Sequence, residues 1–207
     1  KPGGTIRIAI PDLEQIAKTY LDNLDQAQTG SAAAAQNCHW MVIEMLDQSV
    51  RNHPGGDMAR YLCQATIPNQ AFVIDRIGTE GKNLIAAGRQ QQNPQTPSGP
   101  NWLKPIYRFI RYPNQRRDAL LKLFLNQTDY EALQIGRFRL SGEIHQWMYD
   151  RCSLSQILQQ SGFTNITPQT ATTSQIPNWK DFNLDTEPNG SIYKPDSLFM
   201  EATKPTS

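Results

Sequence analysis

Alternating apolar and polar residues predict a β-strand near each end of the chain. Residues 5–10 alternate directly before Pro11, and residues 197–203 alternate in the same way. The apolar face of each strand is made of every second residue: Ile6, Ile8 and Ile10 in the first, and Leu198, Met200 and Ala202 in the second. A weaker alternation over residues 164–173 predicts a third strand.

Helical spacing of apolar residues predicts that much of the intervening chain is helical. Asp12 can cap a helix, with Gln15 at the reciprocal position of a capping box. Ser153 and Gln156 repeat this pattern before a helix that stops at Gly162. The chain is therefore expected to mix strands and helices.

Residues 36–52 predict a helix with two different faces. One face is apolar and the other carries functional groups: Val42, Ile43, Leu46 and Val50 form the first, and Trp40, Glu44, Asp47 and Arg51 form the second. The spacing of Asp47 and Arg51, with the acid first, favours an ion pair on a helix surface. Such an exposed pair contributes little to stability.

Residues 137–150 are crowded with functional groups, which neither a core strand nor a solvated helix requires. They are Arg137, Arg139, Glu143, His145, Trp147, Tyr149 and Asp150. Each also has a structural explanation. His145 can be a hydrogen-bonded structural residue, Asp150 can cap the helix that begins at Ser153, and the two arginines can lie on one solvated strand face. These residues by themselves leave both interpretations open.

Composition and charge exclude several classes of function. The 207 residues include 20 basic and 19 acidic ones, so no nucleic-acid partner is expected. Three cysteines without a C-x-x-C motif predict reduced thiols and a cytoplasmic protein. No apolar run is long enough to span a membrane. The three histidines lack the spacing of metal ligands, so no metal site is expected.

Residues 102–122 combine basic and aromatic side chains. Six basic residues stand against one acid, Asp118, with aromatic residues between them. The pattern is typical of an amphipathic segment that makes a peripheral membrane contact, or of a dock for a phosphate-bearing or lipid-linked substrate. A solvated basic face above a packed aromatic stem explains it equally well.

Several strings of the chain resemble the C-terminal part of a class I S-adenosylmethionine-dependent methyltransferase. These are KPGG before the first strand, SGF after the last helix and the terminal strand SLFMEA. The strings HWMVIEMLDQSVRNHPGGDM and GRFRLSGEIHQWMYDRCSL resemble a narrower, type-11-like bacterial group whose members often accompany glycosyltransferases.

The resemblance implies an α/β fold, namely the C-terminal part of a Rossmann-like sheet. This part of the sheet would have three strands, of which the last is central and antiparallel to the other two. Residues 1–11 and 153–207 would belong to the sheet domain. Residues 12–152 would form a mainly helical insertion for substrate recognition, flexible at about 88–101. This insertion would lie above the carboxyl ends of the strands, where ligands bind in open α/β sheets.

The resemblance also implies a function, the substrate-recognition half of a methyltransferase acting on a sugar or polysaccharide-related acceptor. His145 is the first candidate for a base and Asp47 the second. Arg51, Arg137 and Arg139 are candidates to hold an anionic acceptor. The further predicted substrate-binding residues are Trp40, Glu44, Gln48, Asp57, Met58, Glu143 and Tyr149.

The cofactor, S-adenosylmethionine, is expected to be bound mainly by a missing N-terminal half. Class I methyltransferases bind it through a glycine-rich loop and a carboxylate, and no Gly-x-Gly occurs in this sequence. The chain alone is thus expected to be inactive. The alternative hypothesis is a non-catalytic binding or scaffold module derived from a methyltransferase.

The pattern of the first strand also predicts that the chain self-associates. In the family sheet, residues 5–10 have a second neighbouring strand, which would be absent here. An unpaired strand edge is a template for pairing with another chain, and Arg7 is the charge expected to protect it. The apolar face of this strand would also lose its covering. The sequence therefore predicts that the chain dimerises or swaps elements through residues 5–10, or else aggregates.

Overall fold

The computed structural model describes residues 1–92, 111 and 113–206. This part of the chain forms seven α-helices and three β-strands. In chain order they are β1 (Thr5–Pro11), α1 (Leu13–Gln28), α2 (Ala32–Val50), α3 (Gly56–Leu62), α4 (Gln70–Gln92), α5 (Pro113–Phe124), α6 (Gln127–Arg139), α7 (Arg151–Gln160), β2 (Thr164–Gln169) and β3 (Ser197–Thr203), with a 3-10 turn (Trp179–Phe182) before β3.

The sheet has the strand order β1–β3–β2, and β3 runs antiparallel to both neighbours. Ile8 lies opposite Met200, and Gln169 lies opposite Phe199. The prediction of an α/β chain whose last strand is central and antiparallel is confirmed. Much of the predicted flexible segment 88–101, and the first part of the basic segment 102–122, lie outside the described residues.

One face of the sheet packs against α7. Leu154 and Leu158 of this helix join Met200 in a buried cluster, to which Ile8 and Ile10 of β1 are added. The expectation that the apolar face of β1 would be uncovered is therefore wrong for Ile8 and Ile10, whereas Ile6 is exposed. The outer edge of β1 has no strand beside it in the described part of the chain, because β1 pairs with β3 alone.

The other face of the sheet is held by Arg7, whose side chain is only 5% exposed. Its guanidinium binds Asp185 at 2.7 Å and Glu201 at 2.8 Å, and it also donates to the carbonyls of Thr170 and Thr173. The expected role of Arg7 as an exposed charge guarding the edge is wrong. Arg7 lies opposite Glu201 in the ladder, so both point to the face that the 170–185 segment covers.

A second core lies among the helices, where α1 and α2 pack together. It includes Ile16, Trp40, Met41, Leu62, Val73 and Ile77. Helix α2 turns its functional face inward, with Trp40, Glu44, Asp47 and Gln48 buried. Three residues of the predicted apolar face point outward, since Val42, Leu46 and Val50 are 42%, 49% and 58% exposed, while Ile43 packs against the core. The assignment of the two faces is thus reversed.

Glu44 explains this reversal. Its carboxylate has no solvent exposure and accepts hydrogen bonds from Trp40 Nε1 at 2.8 Å and from Arg76 Nη2 at 2.5 Å. Arg76 also donates to Gln15 of α1 at 2.8 Å. A buried charge is tolerated when it is paired and hydrogen-bonded. Glu44 is satisfied by Trp40 of its own helix and by Arg76 of α4, and Arg76 is held in turn by Gln15 of α1.

Helix boundaries correct two further predictions. Asp150, not Ser153, is the N-cap of α7, because its side chain accepts the Ser153 N–H at 2.7 Å and Ser153 bonds back to the Asp150 N–H. Arg137 and Arg139 lie in the last turn of α6 rather than on a strand. Cations near a helix C-terminus interact favourably with its dipole.

Helix α4 is kinked at Gly78, which has a φ of 59° and a ψ of −139°. The segment before β3 passes against this kink, and the Thr79 N–H donates to the Tyr193 carbonyl at 3.1 Å. A Cβ on Gly78 would overlap this carbonyl and the ring of Pro195. The kink thus admits the segment that carries Lys194 and Asp196.

Candidate functional site

His145 lies in a cleft at the carboxyl end of β1. Because Pro11 is opposite Ser197, the residues that precede β3 lie beside the end of β1. A cavity of about 350 Å³ opens there between them and His145. Its lining consists of Ala9, Ile10, Pro11, His145, Leu184, Asp185, Tyr193, Lys194, Ser197 and Phe199.

Two cavities of about 230 Å³ each share residues with the first one. One shares His145 and continues along residues 146–149. The other shares Lys194 and extends between α2 and α4. It is lined by Gln48, Arg51, Gly55, Met58, Ala59, Ile77, Glu80, Leu84, Lys194 and Asp196. These three cavities together are called the His145 cleft.

The surroundings of His145 favour the neutral form of its imidazole. Its backbone N–H donates to the Gln48 carbonyl at 3.0 Å, which fixes the residue against the end of α2. Burial lowers the pKa of His145, and the positive charges of Arg51 and Lys194 lower it further. A neutral imidazole can accept a proton from a bound hydroxyl group.

Arg51 contributes a positive charge to the cleft. Its Nη2 donates to the Glu143 carbonyl at 3.4 Å, while its Nε is buried without a hydrogen-bond partner. The predicted ion pair with Asp47 does not form. Asp47 Oδ1 instead accepts the Asp57 N–H at 2.6 Å, in the turn that begins α3. Arg51 can therefore bind an anionic group. Asp47 is bonded in the turn through Oδ1, while its Oδ2 is buried without a hydrogen-bond partner.

Lys194 and Asp196 also belong to the cleft, although no sequence pattern points to either of them. Lys194 Nζ pairs with Glu80 of α4 at 2.7 Å. Burial alone would lower the pKa of Lys194, but the charges of Asp196 and Glu80 raise it above its usual value. The lysine is thus held as a cation between two carboxyl groups.

Asp196 is 2% exposed, and its Oδ1 has no hydrogen-bond partner. Burial raises the pKa of Asp196 to about 6; Lys194 opposes this increase, and the charge of Glu44 adds to it. A buried carboxyl oxygen without a partner suits a ligand hydroxyl or amine. The predicted antiparallel pairing of the last strand indicates the position of Asp196, because this pairing brings residues 194–196 to the end of β1.

Replacing Asp196 with Asn should flatten the pH dependence of stability. A folded pKa of about 6, against an ordinary 3.8, means that folding favours the protonated form. This contribution is complete below the ordinary pKa and is lost as the pH rises through the folded value. Urea unfolding of the parent and Asp196→Asn across this range should show a steeper loss of stability with rising pH in the parent, because the other titrating groups are the same in both proteins. An equal slope in both proteins would contradict the assignment.

The structure brings some predicted site residues together and separates others. Gln48, Arg51, Met58, His145 and Tyr149 line the His145 cleft. Trp40 and Glu44 lie in the core, fully buried, and so are not on the cleft.

The remaining predicted residues serve the local fold. Asp57 pairs with Arg60 at 2.8 Å, and Arg137 pairs with Asp118 at 2.6 Å. Arg139 donates to the Val50 carbonyl at 3.1 Å, at the end of α2. Glu143 is exposed and contributes its backbone carbonyl to Arg51.

A larger cavity, of about 760 Å³, lies between the turn after α2 and helix α6. Arg137 and His53 line it, but Arg137 is already paired with Asp118. The His145 cleft is the better candidate despite its smaller cavities, because an unpartnered buried carboxyl and a cation without a carboxylate partner meet there.

The described residues do not fit S-adenosylmethionine. Its binding requires a glycine-rich turn from a strand into a helix. Here β1 leads into α1 through Pro11 and Asp12, and the Asp12 side chain caps the helix by accepting the Gln15 N–H. Within the described ranges, no group of three His, Cys, Asp or Glu side chains is placed to hold a metal ion.

Comparison with known proteins leaves the family open. The chain matches no protein-family model, no curated protein and no solved structure. Among residues 1–92, 111 and 113–206, no helix combines the length and the apolar character needed to cross a bilayer.

Proposed function

We propose that this chain is the acceptor-binding half of an S-adenosylmethionine-dependent methyltransferase, and that the His145 cleft holds the acceptor. The observation that carries the proposal is the strand order β1–β3–β2 with β3 antiparallel in the centre. This is the arrangement that the resemblance implies. The cleft lies at the carboxyl end of β1, where ligands bind in open α/β sheets.

The chemistry of the cleft suits an acceptor that carries both a hydroxyl and an anionic group. Neutral His145 would accept the hydroxyl proton, and Asp196 would bind a neighbouring hydroxyl. The guanidinium of Arg51 would hold the acid. An acidic sugar or a polysaccharide-related acceptor has these groups. The cleft would act chiefly by positioning the acceptor, which is a major source of catalysis.

The cofactor would be held outside this chain, since the β1–α1 junction does not fit it. That misfit also favours the second candidate, a non-catalytic module that binds the same class of ligand. The two candidates differ in what precedes Lys1 in the coding sequence. A strand followed by a glycine-rich loop and a helix would support the enzyme, and an immediate in-frame stop would overturn it.

Where the coding sequence specifies a longer protein, that protein is used in a second experiment. It should bind S-adenosylmethionine by titration calorimetry and transfer a labelled methyl group to the polysaccharide fraction of its own cells. His145→Ala should slow transfer by about a hundredfold or more and leave cofactor affinity unchanged, because the imidazole serves as base. His53→Ala is the matched control, as His53 is exposed and lies outside the cleft.

Two results would contradict this proposal. Equal transfer by the His145→Ala and His53→Ala proteins would remove His145 from the chemistry. Micromolar binding of S-adenosylmethionine by residues 1–207 alone would show that the cofactor site lies within this chain.

We also propose that the edge of β1 pairs with a second copy of the chain. Sedimentation should show a dimer of residues 1–207. Ala9→Pro should abolish the dimer if the Ala9 N–H points outward, while Ala33→Pro, in the first turn of α2, should not. Proline removes an N–H donor and is tolerated at the start of a helix. A parent protein that remains monomeric at high concentration would refute the pairing.

A further inference from the structure

The outward side of α5 carries an apolar patch next to two arginines. Leu120, Leu123 and Phe124 are 57%, 77% and 80% exposed. Their spacing of three and four residues places them on one side of the helix. Arg116 and Arg117 are exposed one turn earlier, on the same side. These five residues are called the α5 patch.

The opposite side of α5 holds α6, so the patch is not needed for that contact. Asp118 of α5 pairs with Arg137 of α6 at 2.6 Å. Lys122 Nζ lies 5.2 Å from the centre of the Tyr130 ring, also on α6. Asp118 is the acidic residue of α5, and its pairing with Arg137 leaves the α5 patch with two positive charges.

We propose that the α5 patch binds the surface of an anionic phospholipid bilayer. Large apolar side chains that cluster on an exposed surface mark an interaction site. The two arginines make that site complementary to negative charge, which favours anionic headgroups. An amphipathic helix of this kind lies in the membrane interface, with its apolar residues below the headgroups. A nucleic acid would match the arginines but would leave Leu123 and Phe124 in water.

The proposal assigns the membrane contact predicted for residues 102–122 to a defined set of side chains, those of the α5 patch. The aromatic residues of the alternative, a packed stem under a solvated basic face, lie outside the described residues. Within residues 116–124, the large apolar side chains of Leu120, Leu123 and Phe124 are exposed. The inference is independent of the methyltransferase proposal, since it uses none of the residues of the His145 cleft.

Vesicle co-sedimentation of the full chain tests the proposal. The parent should sediment with phosphatidylcholine vesicles that contain phosphatidylserine, and not with pure phosphatidylcholine. High salt should weaken the binding, because it screens the arginines. The double variant Leu123→Ser with Phe124→Ser should lose it. Arg116→Gln with Arg117→Gln should weaken it by about fivefold for each arginine.

Leu21→Ser on α1 is the matched control, because Leu21 is an exposed leucine on another helix. It should bind the anionic vesicles as the parent does. Three outcomes would overturn the proposal. They are no binding by the parent, equal binding to both vesicle types, and a parent dimer that the Leu123→Ser, Phe124→Ser variant dissociates. The last outcome would assign the α5 patch to a second copy of the chain.

Discussion

Replacing Arg76 with Met is expected to lower the free energy of unfolding by about 3–5 kcal/mol, the usual loss when one partner of a buried ion pair is removed. Glu44 has no solvent exposure, and Arg76 is its charged partner at 2.5 Å. Without Arg76 the carboxylate would remain buried with Trp40 Nε1 as its donor. Urea unfolding at neutral pH measures the loss.

Two further variants separate the buried charge from other effects of the substitution. Adding Glu44→Met to Arg76→Met should recover part of the lost stability, because no unpaired charge then remains in the core. Lys18→Met breaks the exposed pair of Lys18 with Glu14 and should leave the unfolding midpoint unchanged. If Arg76→Met and Lys18→Met had the same effect, the buried pair would not be the cause.

Gly78→Ala is expected to cost about 2–4 kcal/mol of stability, from backbone strain and overlap together. The φ of 59° is unfavourable for alanine, and its Cβ would overlap the Tyr193 carbonyl. The segment from Tyr193 to Asp196 would then have to move away from α4. Thermal and urea unfolding give the loss, and the pair of Lys194 with Glu80 should be disturbed with it.

Gly142→Ala separates the two contributions. Gly142 also has a positive φ, of 90°, but nothing lies within 4 Å of the site of its Cβ. It should therefore show only the cost of backbone strain. Equal losses for Gly78→Ala and Gly142→Ala would mean that the close approach of Tyr193 does not contribute.

Local rules predicted the strands and several helices. The alternation over 197–203 coincides with β3, and the apolar residues that it assigns to one face are buried together. Asp12 caps α1 as predicted, but the reciprocal bond from Gln15 does not form, because the Asp12 N–H donates to the Asp196 carbonyl. In α7 the cap was displaced by three residues, since Asp150 and Ser153 both have side chains that can bond the first turn. Such features depend on neighbours in sequence, so a local pattern is enough to identify them.

The candidate site was predictable only in part. His145, Arg51 and Gln48 were chosen on sequence, and the structure places them on one cleft. Lys194 and Asp196 lie in a polar, proline-containing segment where no local pattern distinguishes them. They reach the cleft because β3 runs back beside β1 and because Gly78 lets their segment pass α4.

The positions of the strands, the residues that alternate on them and the stretch rich in functional groups can all be identified from the amino-acid sequence. Which face of α2 is buried depends instead on the tertiary structure. Hydropathy alone places Val42, Leu46 and Val50 inside and Glu44 outside. The reverse occurs because two residues satisfy the Glu44 carboxylate in the core. Trp40 lies one helical turn away from Glu44, and Arg76 is distant from it in sequence. The cost of burying a charge depends on the partners that surround it, and only the folded chain supplies them.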